Sequence, residues 1–353
     1  MLHLPLSKQV LDRSAELRSQ ESALDALLDS GYFYHFIEGS WLIDGEKVAS
    51  LRWDESRTLF DSVDGDIAKH YIQERYFLGL DGDGRGHFLI HHLKATRSST
   101  RDGDGKSVLE SAKDSAKDSA KDSAKDSAKD SASTRLKAIA RYTIENLRSK
   151  VALFSPLHIG VVMHGQGLAL WHANHRFCSR CGRETASILG GSVRSCVDGH
   201  QHHPRTDPAI ITLIKDRSDR ILLGHQGSWP EGRFSTFAGF VEPGESFEGA
   251  LHREVAEEAG ITISEFQYLG SQPWPFPSSV MIAFEAITEE PDRARPDGEE
   301  ITEIRWFDRA SLLEASRSGD LLLPPPISVA RAMIDRWYQS GHGEPLSTKD
   351  AWR

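Results

Sequence analysis

The chain has 353 residues, 39% of them hydrophobic, which is enough for two or three domains with real cores. Its 42 basic and 52 acidic residues leave a net charge of −10, which argues against a general nucleic-acid or membrane surface and leaves room only for a local basic groove. No run approaches the roughly 18 apolar residues of a membrane span, MLHLPLSKQVLDR lacks a secretion-signal pattern, and the 3 cysteines, two of them as CxxC, read as metal ligands in a reducing compartment; the expected location is cytoplasmic, with no membrane partner.

Residues 1–95 read as a small β-rich domain, with aromatic strand segments at 31–36 (GYFYHF) and 76–80 (YFLGL). The turn at 81–86 (DGDGRG) is similar to a calcium loop, but Arg85 and His92 stand where that loop needs oxygen ligands, so a glycine-rich hairpin is expected. Residues 96–134 read as a disordered linker. SAKD repeats five times over 111–130 and carries no large apolar residue to bury.

Residues 135–176 read as a connecting helical segment. Leu136, Ile139, Ala140, Tyr142, Thr143 and Leu147 fall at helical spacing, 165–167 (GQG) is expected to break the chain, and 168–172 (LALWH) to form a short second helix. Residues 177–206 form a zinc-ribbon-like module. Cys178 and Cys181, with Gly182 just past, suit half of a tetrahedral zinc site. Cys196 begins the other half, but 196–204 (CVDGHQHHP) lacks a fourth cysteine; His200 is the first candidate for that ligand, with Asp198 and His202 behind it. Such a closed ligand set makes the zinc structural, and the competing reading is a ribbon held by packing alone.

Residues 207–340 form an α/β domain, with strands at 209–214, 220–224, 234–241, 280–288 and 303–307 and a helix at 329–337. Within it, 239–261 reads GFVEPGESFEGALHREVAEEAGI. Ser246 opens a helix with Glu248 in its first turn, and Gly260 ends it. On that helix Glu254, Glu257 and Glu258 project from one face, where like charges need compensation, and a hard divalent cation supplies it. The turn Pro243–Gly244 folds Glu245 toward the same face. Residues 271–279 (SQPWPFPSS) follow, with three prolines expected to fix a rigid extended loop, Trp274 and Phe276 offering faces for stacking, and Gln272 and the serines offering hydrogen bonds.

The 239–261 stretch resembles the signature of the Nudix hydrolases, with no departure. SQPWPFP followed by serine resembles the array of that family's NADH pyrophosphatase branch, which also removes NAD caps from RNA; the likeness covers roughly residues 136–338. It implies an α+β chain: a Nudix α/β/α sandwich, a small β-rich N-terminal domain and a zinc-ribbon-like insert. It implies that Glu254, Glu257 and Glu258 bind Mg²⁺ or Mn²⁺ beside Arg253, with Glu258 as the base. Glu300 matches a further metal-binding glutamate, with Glu299 one residue away as the other register. Ala238 and Phe240 flank the motif glycine, and Phe240 is expected to stack on a base. Gln272, Pro273, Trp274, Pro275, Phe276, Pro277, Ser278 and Ser279 are expected to line the substrate pocket, with backbone from Ala330.

The implied reaction is hydrolysis of the pyrophosphate of NAD(H) to NMN(H) and AMP, extended to NAD-capped RNA, in a homodimer. Two departures stand against the pattern: His203 where an aromatic residue often precedes the Pro-Arg-x-Asp-Pro run, and the missing fourth cysteine. No GxxxxGK[ST] loop is present. The rivals are a broad hydrolase of ADP-ribose or dinucleoside polyphosphates, which SQPWPFP disfavours, and a non-catalytic zinc-ribbon RNA-binding protein, which the intact acidic set disfavours.

Overall fold

A computed structural model describes residues 2–61, 71–94, 141–148, 150–342 and 346. The SAKD repeat and the expected helix residues Leu136, Ile139 and Ala140 lie outside them.

The N-terminal unit contains the short helices α1 (Glu21–Ala26) and α2 (Trp53–Asp61) and a six-stranded sheet. Its strands are β1 (Tyr32–Ile37), β2 (Ser40–Asp44), β3 (Lys47–Val48), β4 (Tyr71–Leu80), β5 (Gly86–Lys94) and β6 (Tyr142–Glu145), in the order β3-β2-β1-β5-β4 with β6 on β2. The turn between β4 and β5 is a hairpin, as expected: Asp81 accepts the backbone N–H groups of Asp83 and Arg85 with its own carboxylate, at 3.0 and 2.9 Å.

Two expectations for 135–176 are corrected. Tyr142–Glu145 is a strand, not part of a helix, and pairs antiparallel with Trp41–Asp44. Tyr142, Thr143 and Ile144 are aromatic or β-branched, and the exposed edge of β2 gives them a partner. The GQG at 165–167 does not break the chain. It sits inside one continuous helix, α3 (Pro156–Asn174), whose Ser155 accepts the His158 N–H and whose Pro156 occupies the first turn. Gly165 is there for close approach, since a Cβ would lie 2.7 Å from the Trp41 ring. Helix α3 packs on Tyr34, Phe36, Trp41 and Leu89, so 142–174 completes the N-terminal core rather than merely connecting it onward.

The ribbon is a three-stranded sheet of β7 (Thr185–Ile188), β8 (Val193–Cys196) and β9 (Gln201–His202). Buried Arg194 fastens it to the rest. Its guanidinium donates to Glu74 on β4 at 2.8 Å, to His172 Nδ1 on α3 at 2.7 Å and to the Thr185 carbonyl at 2.7 Å. His172 Nδ1 is therefore the acceptor, and its Nε2 donates to the Gly191 carbonyl at 2.8 Å. Burial works against the Glu74 charge, but the bonds from Arg194 and Tyr76 outweigh it and lower the carboxyl below its ordinary range.

The third sheet holds β10 (Asp207–Lys215), β11 (Ile221–Gln226), β12 (Phe237–Phe240), β13 (Glu265–Trp274), β14 (Ser279–Ile287) and β15 (Ile301–Phe307). Its order is β13-β14-β10-β11-β15, with β12 also on β10. Strand β10 runs parallel to β14, while its other edge is divided: β12 takes Ala209–Thr212 and β11 takes Ile214–Lys215. Helix α4 (Phe247–Ala259) buries Ala250, Leu251, Val255 and Ala259 on the face carrying Ile210 and Ile282. Helices α5 (Arg309–Ser318) and α6 (Val329–His342) cover the other face over Ile211, Leu213 and Ala283. This helix–sheet–helix sandwich, with a β-rich unit and a ribbon before it, is the expected α+β arrangement. The third expected strand of this domain is shorter than 234–241, running only over Phe237–Phe240.

The run at 271–277 is also corrected. Ser271–Trp274 is not an extended loop but the end of β13, paired with Ser279–Ile282 of β14. Pro273 is tolerated because β13 is the edge strand of the sheet. Residues 275–278 form a tight hairpin turn with a cis Phe276–Pro277 bond.

Candidate functional site

Helix α4 is capped as its sequence implies. Ser246 accepts the Gly249 N–H at 3.0 Å, and Gly260 takes the left-handed conformation at φ 66°. The preceding turn brings Glu245 back to Arg253, whose Nε and Nη2 each meet a carboxylate oxygen of Glu245 at 2.9 Å. This pairing with Arg253 pulls the Glu245 carboxyl down to about 2. Arg253 also donates to Glu254 at 2.7 Å, to Glu257 at 3.0 Å and to the Phe240 carbonyl at 2.9 Å. One guanidinium thus ties the loop, the helix and β12 together.

Gly239 has a steric reason of its own. A Cβ there would lie 1.9 Å from the Glu254 carboxyl carbon, so the carboxylate packs directly on the β12 backbone. Glu258 lies deeper, 5% exposed, and its Oε2 has no hydrogen-bond partner among the described residues. Burial, then the neighbouring Glu254 and Glu300, push its carboxyl up to about 8, although the Ala238 N–H donated to it pulls the other way. Glu254 is raised as well, chiefly by burial and against Arg253. Glu300 is the glutamate whose charge is felt by both; its carboxylate accepts from Gln226 at 2.7 Å. Asp297 sets that loop by accepting the N–H groups of Glu299 and Ile301, each at 2.9 Å. The acids do not all converge on one point: Glu254 and Glu257 turn to Arg253, while Glu258 and Glu300 stand apart from it. A carboxylate whose ionisation burial and like charge both oppose, with a free oxygen, fits a divalent cation.

The register of the third sheet sorts the remaining candidates. Phe240 pairs with Ala209, Ala209 with Met281 and Met281 with Gln272, so these side chains form one row across four strands. The row lies on the α6 face, with Ala238 and Ala330, and opposite to α4. Phe240 is 60% exposed and presents an open ring. Gln272 is fully buried: its Oε1 accepts the Leu6 N–H and its Nε2 donates to the Ile327 carbonyl, each at 2.9 Å. Both ends of that amide are spent inside the fold, so Gln272 offers a substrate nothing directly. Trp274 and Phe276 meet edge to face at 5.2 Å and pack against the N-terminal core. Ser278 donates to Asp207 at 2.6 Å.

The ribbon gathers Cys178, Cys181, Cys196 and His200, whose ligand atoms all lie within 4.8 Å of one another. Among the described residues no other set of His, Cys, Asp or Glu donors closes so tightly. Asp198 is taken by Arg183 at 2.8 Å, and His202 approaches only Cys178, at 3.2 Å. Burial disfavours the Cys178 thiolate, but the backbone N–H groups of Arg180 and Cys181 and the His202 ring outweigh it and bring the thiol to about 5. Three cysteines, none in a disulfide, and one imidazole at this spacing fit structural Zn²⁺.

A cavity of about 720 Å³ opens elsewhere, between the N-terminal unit and the ribbon, lined among others by Arg75, Phe88, Ile188 and Arg194. No residue of α4 or of the 271–279 hairpin lines it. Sequence reasoning missed Asp207, Gln226 and Arg194; of these only Asp207, in the Pro-Arg-x-Asp-Pro run, carried a signal.

Residues 205–322 match the NUDIX domain family, and residues 173–202 match the NADH pyrophosphatase zinc ribbon domain. The chain is 42% identical over 186 residues to the NAD-capped RNA hydrolases NudC of Mycobacterium bovis and Mycobacterium tuberculosis, covering 50% of this chain and 59% of those proteins. It is 36% identical over 193 residues to the human NAD-capped RNA hydrolase NUDT12, covering 51% of this chain and 42% of that protein. The matched region thus spans less than two thirds of these relatives' length.

Proposed function

We propose that this chain, with a NUDIX domain over 205–322 behind an NADH pyrophosphatase zinc ribbon over 173–202, hydrolyses the pyrophosphate of NAD(H) and removes NAD caps from RNA 5′ ends. The observation that carries the reading is the acidic set at α4: Glu258, buried with a free oxygen beside Glu254 and Glu300, on a chain that also presents the 271–279 hairpin. The NudC and NUDT12 relatives, both NAD-capped RNA hydrolases, support the same substrate.

In this reading Glu254, Glu257, Glu258 and Glu300 would hold Mg²⁺ or Mn²⁺, which when bound neutralises charge on the diphosphate oxygens. Glu258 takes the proton of the attacking water at its free Oε2. The water oxygen bonds to one phosphorus, the bridging P–O bond breaks, and NMN(H) and AMP leave. On a capped RNA the same cleavage leaves a 5′-monophosphate end. Arg253 positions Glu245, Glu254 and the Phe240 backbone, and the exposed Phe240 ring stacks on a base. Trp274, Phe276 and the Ala330 backbone bound the pocket on the α6 side. A cytoplasmic homodimer is part of the proposal. No helix among the described residues is long and apolar enough to cross a membrane.

The test is hydrolysis of NADH, NAD⁺ and NAD-capped RNA in Mg²⁺ with products identified by mass spectrometry, for the parent and Glu258→Gln. The parent is expected to give NMN(H) and AMP, and the variant to lose at least about a hundredfold in rate. A Glu258→Gln protein as fast as the parent refutes the role given to α4.

A further inference from the structure

We propose that Gln166, on helix α3, is a positioning residue for substrate recognition: it fixes the 275–278 hairpin turn to the N-terminal core and so sets where Trp274 and Phe276 stand. The inference rests on the NAD(H) reading above and deepens it, because it assigns the N-terminal unit a part in the pocket.

Gln166 is 4% exposed, and both ends of its amide are used, one within the N-terminal unit and one across to the third sheet. Oε1 accepts Trp41 Nε1–H at 3.1 Å, and Nε2 donates to the Pro275 carbonyl at 2.8 Å. Trp41 is fully buried on β2, so the first bond anchors the glutamine in the N-terminal core. The second reaches the residue between the two aromatic side chains of the hairpin, 109 positions along the chain. The preceding glycine makes the first approach work, while the second leaves ordinary contact distance. A Cβ on Gly165 would collide with the Trp41 ring at 2.7 Å, and Gly167 faces Pro275, whose Cβ would stand 3.7 Å from a Cβ there. Gly165 is thus a seat for Trp41 cut into the helix, next to the glutamine that reaches Pro275.

The turn is held from its other end as well: the Asp207 N–H donates to the Ser278 carbonyl at 2.8 Å, and the Ser278 hydroxyl donates to Asp207 at 2.6 Å. Gripped at 275 and at 278, the turn leaves Trp274 and Phe276 little freedom. With the Pro275 carbonyl released, both rings lose a preset position, and the cost appears when a substrate must order them. The reacting acids lie on the opposite face of the sheet and keep their geometry. Gln166 therefore acts on binding and not on chemistry.

Two variants test this in the full chain. Gln166→Met keeps the volume and loses both bonds; Gln166→Glu keeps an acceptor for Trp41 and loses the donor to Pro275. Both are expected to raise KM for NADH about fivefold to tenfold, the worth of one buried hydrogen bond, with kcat within about twofold. Hydrogen exchange is expected to quicken for amides of 276–282 and to stay unchanged for 209–214. An unchanged KM with unchanged exchange overturns the proposal. So does a fall in kcat together with lost zinc and lowered Tm, which marks a merely structural role. If the parent itself fails to cleave NADH, the functional reading falls, and the exchange comparison still decides whether Gln166 clamps the hairpin.

Discussion

Gly239→Ala is the sharpest perturbation of the acidic site, because it adds one methyl group and nothing else. Gly239 does not occupy the left-handed region, so alanine can adopt its backbone without strain. The difficulty is space: the new Cβ would meet the Glu254 carboxyl carbon at 1.9 Å and its oxygens at 2.0 and 2.2 Å. Ordinary contact needs the carboxylate to retreat by about 1.5 Å, enough to break its 2.7 Å bond from Arg253. Overpacking of this kind costs about 1–3 kcal/mol, which lowers Tm without unfolding the domain. A displacement of about 1 Å in a catalytic group typically costs about a hundredfold in rate. The assay is kcat/KM for NADH at saturating Mg²⁺, with Tm and zinc content measured on the same preparation. A folded, zinc-replete Gly239→Ala protein within threefold of the parent would refute the claim that Glu254 acts from its place on the β12 backbone.

Zinc analysis separates the two histidines of the ribbon: His200→Ala is expected to purify without stoichiometric zinc and His202→Ala to retain it, and the reverse result would move the fourth ligand to His202. Arg253→Lys removes the forked contact to Glu245 and is expected to cut kcat by about a hundredfold in a folded protein, measured by the same NADH assay; unchanged kcat would show that the fork is dispensable. Acid stability follows from buried histidines, whose charged forms burial opposes: His91 is lowered to about 3, and His92 and His172 to about 4. Because the unfolded chain binds those protons more tightly, their stabilising contribution is whole above about pH 6.5 and is lost as pH falls toward 4, by about 1.4 kcal/mol per pH unit for each histidine. Urea midpoints at pH 7 and pH 5 check this, and equal midpoints would contradict it.

The acidic helix was legible because each of its signals is local. Ser246, Gly260 and the spacing of Glu254, Glu257 and Glu258 need no distant partner to be read, and the clustering of Cys178, Cys181, Cys196 and His200 was likewise a matter of short spacing. What escaped depends on partners far along the chain. Tyr142, Thr143 and Ile144 satisfy a strand as well as a helix, and Trp41–Asp44, about a hundred residues earlier, decides between them. Gly165 and Gly167 cost α3 about 1 kcal/mol each against alanine, which made a break the natural reading; the close Trp41 ring is what requires the first of them. Pro273 looked like loop punctuation because nothing local says that β13 is an edge strand. Gln272 looked like an open hydrogen-bonding residue for the same reason: its partners, Leu6 and Ile327, lie 266 and 55 positions away.

That first separation has a temporal side. The Leu2 N–H donates to the Leu269 carbonyl, the Leu6 N–H to Gln272 and the Ser7 hydroxyl to the Ser271 carbonyl, so residues 2–7 line the β13 edge. A ribosome adding about 5–20 residues per second delivers Gln272 roughly 13–50 s after Leu6. Through that interval Leu4, buried against the third sheet in the finished fold, has no docking site, whereas Leu6 belongs to the N-terminal core. Closing the β13 edge is therefore a late event of biogenesis.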